Sequence, residues 1–125
     1  MWLRLRRDVQ IVEQRIEVTP SNAIAEMAKW YLPTEHQLIT VVALDTGSQL
    51  ELQWIFSAYG KLNDRTVFRA YFDYSALIPT LTRYIPSAWI IEREIVDLFG
   101  VQIEGTQPGL MLDSDSIQAP LRKNK

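Results

Sequence analysis

The chain reads Leu50-Glu51-Leu52-Gln53-Trp54-Ile55-Phe56-Ser57, and this stretch decides the fold class. Large apolar side chains occupy every second position, and three of the four positions between them are polar. Because successive side chains of a strand point to opposite faces of a sheet, the alternation predicts a strand with one apolar face. We expect helices to pack on that face, since a half-apolar sheet must be covered.

Two further strands are predicted on either side of this one. Residues 37–44 form an almost uninterrupted apolar run, which is typical of a strand covered on both faces, and a turn is expected at 45–48. A second turn is predicted at 60–64, after which Phe68, Ala70 and Phe72 alternate with their neighbours in a third strand. These three strands predict an antiparallel meander.

The remaining elements complete an α+β domain. Residues 9–18 predict a first strand, and Thr19 and Pro20 predict the N-cap and first position of a helix that Pro33 ends. A short helix is expected at 80–84 and a last strand at 101–103. The predicted fold is a two-layer domain, a mostly antiparallel or mixed sheet of about four to five strands with helices packed on it. Residues 1–105 would form this single domain and 106–125 an extended C-terminal arm that gains its order from partners.

The strongest helix prediction covers residues 87–99, with Gly100 at the position of a C-terminal cap. At about 100° per residue, the apolar side chains cover about half of the circumference; they are Ala88, Trp89, Ile91, Ile95, Val96, Leu98 and Phe99. Arg93, Glu94 and Asp97 lie on the other half. Glu92 falls within the apolar arc, and Ile90 falls among the charged residues.

The two misplaced residues carry hypotheses about function. A carboxylate on a buried stripe is costly unless it is paired or hydrogen-bonded, so Glu92 needs a partner. A structural ion pair with an arginine of this chain is favoured over docking to another subunit, and both are favoured over proton chemistry. Arg93 and Asp97, four residues apart, predict a surface ion pair. Ile90, surrounded by Arg93, Glu94 and Asp97, would suit the centre of a docking patch.

The composition excludes several classes of site. The 125 residues include no cysteine and one histidine, His36, so thiolate metal sites, iron–sulfur ligation and cysteine nucleophiles are excluded. We therefore predict no catalytic, metal-binding or cofactor-binding residue in this chain, and we expect His36 at the surface. Trp30, Trp54 and Trp89 have spacings that favour core packing over base stacking. The net charge of −2 also argues against nucleic acid as a partner.

Membrane segments are not predicted. The first eight residues lack the continuous apolar segment of a secretory signal. No apolar run reaches the roughly 18–20 residues that a membrane-spanning helix needs. If the protein works at a membrane, partner subunits would hold it there.

Residues 87–101 resemble the signature of the C subunit of respiratory complex I, Ala-x-Trp-x-Glu-Arg-Glu-x-x-Asp-x-Phe-Gly-Ile. The family includes the small subunit of energy-converting, membrane-bound nickel–iron hydrogenases. The positions that match in order are Glu92, Arg93, Glu94, Asp97, Phe99 and Gly100. Trp89 precedes the glutamate by one residue more than the family pattern has. Residues 79–82 also resemble the family's Pro-Ser-Leu-Thr, and the resemblance covers roughly residues 19–105.

The resemblance implies a subunit without cofactors that docks on a catalytic large subunit and an iron–sulfur small subunit. Those partners are expected to carry the iron–sulfur clusters and, in hydrogenases, nickel–iron. It also implies a peripheral position on the cytoplasmic side of the cell membrane, and no activity of the chain alone. Downstream, the respiratory members' Gly-His-Pro-Asp-Leu-Arg-Arg is replaced after Gly105 by Thr-Gln-Pro-Gly-Leu-Met. This difference favours the hydrogenase branch over an NADH:quinone oxidoreductase.

Two other classes of function remain as alternatives. A stand-alone hydrolase or ligand-binding domain would need a pocket with convergent polar groups, and the sequence shows no such constellation. A nucleic-acid-binding module is disfavoured by the slightly acidic charge. Neither the electron donor nor the acceptor follows from the sequence.

Overall fold

A computed structural model describes residues 12–106 and 120–122. Its main sheet has four strands in the order β1-β4-β3-β2. Their bounds are β1 Val12–Glu17, β2 His36–Asp45, β3 Gln49–Ala58 and β4 Lys61–Asp73. The strands β2, β3 and β4 pair antiparallel, as the alternation predicted, whereas β1 pairs parallel with β4. The sheet is therefore mixed, and the predicted α+β class is confirmed.

Two helices lie on the apolar face of this sheet. The first, α1, spans Ala23–Trp30, and the second, α2, spans Trp89–Phe99 after a 3-10 turn at Pro86–Ala88. A small second sheet pairs β5, Leu77–Ile78, in parallel with β6, Gln102–Ile103. This pairing ties the segments before and after α2 together. It confirms the predicted last strand.

The core forms where the two helices meet the central strands. The apolar residues of β3 and β4 that the alternation placed on one face are all buried: Leu50, Leu52, Trp54, Phe56, Phe68, Ala70 and Phe72. Met27 of α1 and Ile95 of α2 join the same cluster. The aromatic rings pack edge to face, with the ring centroids of Phe56 and Phe68 5.8 Å apart. The predicted register of the sheet is thus confirmed.

Three predicted local features are wrong. The helix α1 begins at Ala23 rather than Pro20, because Thr19 to Asn22 form a turn in which the Asn22 side chain accepts a 2.8 Å hydrogen bond from the Thr19 N–H. The strand β4 starts at Lys61, since a tight turn at Tyr59 and Gly60 replaces the predicted turn at 60–64. Residues 82–84 form a turn and not a helix.

The strand β2 differs from its predicted environment. We expected residues 37–44 to be covered on both faces, but β2 is an edge strand of the main sheet. Val41 is its one buried residue, while Ile39 and Leu44 are 39% and 47% exposed. Among the described residues, α2 packs on one face of this strand, so the apolar run is covered on that face only.

Most of the predicted C-terminal arm lies outside the described residues. Within the described residues 120–122, the Leu121 N–H donates a 2.9 Å hydrogen bond to the Leu98 carbonyl at the end of α2. The guanidinium of Arg122 lies 3.9 Å from the centre of the Tyr74 ring. Residues 121 and 122 therefore contact the domain itself.

Candidate functional site

The helix α2 is the element that holds the signature residues. Its C-terminus is capped by Gly100, whose φ of 70° is the left-handed conformation that glycine adopts without strain. The Gly100 N–H donates to the Val96 carbonyl at 2.9 Å. The predicted helix and its cap are confirmed. The helix turns Ile95, Val96 and Phe99 into the core and leaves Trp89 and Ile90 at the surface.

Glu92 lies beneath this surface with 4% of its area exposed. Its Oε1 accepts a 2.6 Å hydrogen bond from the Thr80 hydroxyl, and its Oε2 accepts a 2.8 Å bond from the Leu81 N–H. The Thr80 hydroxyl oxygen is also 2.7 Å from that of Thr82. Both carboxylate oxygens are therefore satisfied by the loop that precedes α2.

Burial raises the pKa of Glu92 above its ordinary value. The hydrogen bonds from Thr80 and Leu81 oppose this rise because they favour the charged form, and the like charge of Glu104 adds to it. Desolvation is the largest of these effects, so the protein environment favours the neutral form of the Glu92 side chain more than water does. This arrangement fixes the loop to the helix without requiring a cation.

The predicted ion pair of Glu92 with an arginine is wrong within the described residues, whose ion pairs do not include Glu92. A hydroxyl and a backbone N–H take the place of the arginine. The sequence analysis missed this role of Thr80. The signal was present, since residues 79–82 are the second segment that resembles the family pattern.

Trp89 is not a core residue, in contrast to the prediction. It is 46% exposed, and the Arg93 guanidinium lies 5.8 Å from its ring centre. This distance is within the range of a cation–π contact. The tryptophan therefore presents a large aromatic surface beside a positive charge. Trp30 and Trp54, by contrast, pack in the core as predicted.

The other signature residues fall on both sides of the helix. Ile90 is 48% exposed, as predicted, and Glu94 is partly exposed near Ile91. Asp97, predicted on the polar surface, is only 5% exposed and interacts with its surroundings. The predicted surface position of an Arg93–Asp97 pair is therefore wrong. The docking role assigned to these residues stays a prediction.

A groove of about 390 Å³ opens beside Trp89. Its lining combines three hydroxyl side chains, two arginines, a glutamate, an indole and a glycine: Thr80, Thr82, Arg83, Trp89, Arg93, Glu104, Gly105 and Thr106. Arg83 and Glu104 form an ion pair across it with an N–O distance of 3.4 Å. We call this the signature groove. A smaller groove of about 190 Å³ lies between β2 and α2.

No group of three or more His, Cys, Asp or Glu that could hold a metal occurs among residues 12–106 and 120–122. His36, expected at the surface, is partly buried: its ring stacks 3.9 Å from Trp30 and its Nδ1 accepts a 2.9 Å hydrogen bond from the Leu32 N–H. It supports the turn after α1.

In the part of the chain that the structure describes, none of the helices has both the length and the apolar character needed to cross a membrane.

A comparison with models of known protein families matches one family. The family described as respiratory-chain NADH dehydrogenase, 30 Kd subunit, matches residues 16–125. A comparison with curated protein sequences finds no match. The fold resembles a solved chain in the structure of the membrane-bound sulfane sulfur reductase, an archaeal respiratory membrane complex. The TM-score is 0.73 at 18% sequence identity, and the match covers 90% of this chain and 69% of that chain.

Proposed function

The chain belongs to the family of the 30 kDa subunit of respiratory-chain NADH dehydrogenase, and from this we propose that it is a non-catalytic, cofactor-free subunit in the hydrophilic arm of a complex I-like oxidoreductase. It would dock on the catalytic large subunit and the iron–sulfur small subunit. Those partners would carry the iron–sulfur clusters and, in a hydrogenase, nickel–iron. The chain would sit on the cytoplasmic side of the membrane, held there by partners.

One observation carries the docking role. Trp89 and Ile90 stand half exposed on a helix that the buried Glu92 anchors to the preceding loop. Exposed aromatic and branched side chains on a rigid element are typical of the energetic centre of a protein interface. The contacts of Glu92 with Thr80 and Leu81 hold this surface in place before any partner arrives.

We propose an energy-converting nickel–iron hydrogenase as the specific complex, because the stretch directly after Gly105, Thr-Gln-Pro-Gly-Leu-Met, lacks the histidine and arginines of the respiratory motif. An NADH:quinone oxidoreductase is the second candidate, and the family description favours it. A sulfane sulfur reductase is a third, suggested by the protein whose structure is similar. The three differ in their reactants: hydrogen, a nicotinamide with a quinone, or sulfane sulfur.

The test is isolation of the native complex through an affinity tag on this chain. Mass spectrometry of the co-purified subunits should identify a large subunit and an iron–sulfur subunit in equal amounts with the chain. Assays of the isolated complex with hydrogen, NADH and polysulfide then separate the three candidates. Recovery of the tagged chain without any oxidoreductase subunit would contradict the proposal.

A further inference from the structure

A chain of three side-chain oxygen atoms leads from the buried Glu92 to the signature groove. The Glu92 Oε1 is 2.6 Å from the Thr80 hydroxyl oxygen, which in turn is 2.7 Å from the Thr82 hydroxyl oxygen. Glu92 and Thr80 are 4% and 7% exposed, whereas Thr82 is partly exposed and lines the groove. The two hydroxyls therefore connect the buried carboxyl with the solvent side of the groove.

The direction of these hydrogen bonds follows from the charge of Glu92. A carboxylate only accepts hydrogen bonds, while a hydroxyl donates one and accepts two. When Glu92 is charged, Thr80 donates to it, so the 2.7 Å contact forms only if the Thr82 hydroxyl donates to Thr80. The Thr80 oxygen also accepts from the Thr82 N–H at 3.1 Å, which fills its second acceptor position. The Thr82 proton thus points inwards, and its oxygen faces the groove as an acceptor.

Protonation of Glu92 reverses this chain. The Leu81 N–H already donates to Oε2 at 2.8 Å, so the added proton belongs on Oε1, from which it donates to the Thr80 oxygen. Thr80 still accepts from the Thr82 N–H, and its own proton turns to the Thr82 oxygen. The Thr82 proton then points into the groove. The hydroxyl protons of Glu92 and Thr80 are paired in this state too, and the net change is one proton taken up from water.

Three charged groups lie near the chain of oxygens without belonging to it. Burial raises the pKa of Glu92, and the like charge of Glu104 adds to this rise. Arg83 lines the groove from the preceding loop and forms an ion pair with Glu104, and Arg93 lines it from α2. A variant that tests the hydroxyls must therefore leave these three charges in place.

We propose that Glu92, Thr80 and Thr82 form a switch, in which the charge of the buried carboxyl decides whether the Thr82 hydroxyl offers the signature groove an acceptor or a donor. The coupling is reciprocal, as it is for any two linked binding equilibria. A group in the groove that accepts a hydrogen bond from Thr82 would favour the neutral carboxyl, and a group that donates to Thr82 would favour the charged one. The switch belongs to the fold of the chain and does not rest on the proposed function.

The first test follows the titration of the Glu92 carboxyl in the full chain by carbon NMR, with Glu92→Gln to assign the signal. Thr82→Val removes the oxygen that accepts the Thr80 proton when Glu92 is neutral, and this leaves a buried donor unpaired. In the charged state the Thr80 oxygen still accepts from the backbone N–H of residue 82. We therefore expect the titration midpoint to move to lower pH in Thr82→Val and to stay in place in Thr82→Ser. An unchanged or raised midpoint in Thr82→Val overturns the proposal.

Thr106→Val is the matched control for this titration. It removes a hydroxyl that lines the same groove outside the chain of three oxygens, and it leaves the charged lining residues in place. The midpoint should stay as in the original chain. A shift of equal size in Thr106→Val would show that the polarity of the groove, and not the switch, acts on Glu92, and would overturn the proposal. If Thr82→Val fails to fold, Thr82→Ala takes its place with the same expected shift.

The second test uses Glu92→Gln as an imitation of the neutral carboxyl. The Leu81 N–H requires the Gln oxygen on its side, so the Gln amide donates to Thr80. Thr82→Val should then lower the free energy of unfolding more in the Glu92→Gln chain than in the original chain, as measured by urea unfolding above the titration midpoint of Glu92. The difference between the two losses is the coupling in a double-mutant cycle. Equal losses would mean that the Thr82 hydroxyl has one direction in both states, which overturns the proposal.

Discussion

The Thr80 hydroxyl donates a 2.6 Å hydrogen bond to the buried Glu92 carboxylate, and this contact joins the loop after β5 to the helix α2. Thr80 is itself 7% exposed, so the bond lies out of water, where a charge-assisted hydrogen bond is strong. With the Leu81 N–H on the second carboxylate oxygen, the pair fixes the floor of the signature groove. The helix that carries Trp89 and Arg93 is therefore held by the buried Glu92, which does not line the groove itself.

Replacing Glu92 by Gln should keep this network. The Gln oxygen can accept from the Leu81 N–H, and the Gln amide can donate to Thr80, whose hydroxyl can turn to donate to Thr82 2.7 Å away. We expect the free energy of unfolding to change by less than about 1 kcal/mol at neutral pH. Leucine at this position accepts no hydrogen bond, so Glu92→Leu should lower the free energy of unfolding by about 1–3 kcal/mol for each buried donor left unpaired. Urea unfolding of the two variants measures both values.

A large loss in Glu92→Gln would contradict this prediction. An ion pair with an arginine, as the sequence alone suggested, would give that result. The neutral side chain would then leave a buried cation unpaired, which lowers the free energy of unfolding by about 3–5 kcal/mol. The Gln and Leu variants together therefore separate hydrogen bonding from ion pairing.

The raised pKa of Glu92 predicts the direction of a pH effect. Its pKa in the folded chain lies above the ordinary value of 4.5, so the folded state binds the proton more tightly than the unfolded state. The favourable contribution is complete below pH 4.5 and is lost as the pH rises through the folded pKa. Glu92→Gln lacks this titration. The stability of the original chain relative to the variant should therefore fall as the pH rises above 4.5, as measured by urea unfolding at several pH values. A constant difference would contradict the raised pKa.

The sheet and its core were predictable because strand periodicity is a local signal. The alternation alone predicts that four side chains of β3 share one face, and the structure buries all of them: Leu50, Leu52, Trp54 and Phe56. The environment of β2 was not predictable in the same way. An apolar run shows that burial is favourable, but it does not tell which neighbour covers each face, and here one face of the edge strand stays open in the described residues.

The burial of the candidate site residues was only partly predictable. The helical period placed Glu92 among buried residues and Ile90 at the surface, and both positions are confirmed. Trp89 was placed wrongly because it lies at the edge of the apolar arc, at the first residue of α2, where the loop and not the helix decides exposure. Thr80 could not be assigned, since its contact with Glu92 depends on the path of the chain between them.

Phe56 offers a direct test of the core. It is fully buried and meets the rings of Trp30 and Phe68 edge to face, with centroid distances of 5.0 and 5.8 Å. Phe56→Ala should lower the free energy of unfolding by about 3–5 kcal/mol, because it removes these contacts and leaves a cavity. Leu62→Ala, at a position 60% exposed, is the control and should cost less than about 0.5 kcal/mol. A loss below about 1 kcal/mol for Phe56→Ala would show that the core is not packed as described.

Ile90 separates a role in assembly from a role in chemistry. It is 48% exposed on α2 and contributes to no described polar network, so Ile90→Glu should leave the fold and its stability nearly unchanged. Placed at the centre of a docking surface, however, the new charge would be desolvated against the partner, which we expect to lower the yield of assembled complex at least ten-fold. Leu62→Glu, at a similarly exposed position of β4, controls for loss of an apolar surface residue.

Turnover per assembled complex should stay within about two-fold, since a subunit that only docks leaves the reacting groups in place. Normal yield with a loss of turnover on the scale of about 10²-fold or more, as for a missing acid–base group, would instead make this helix a participant in the reaction.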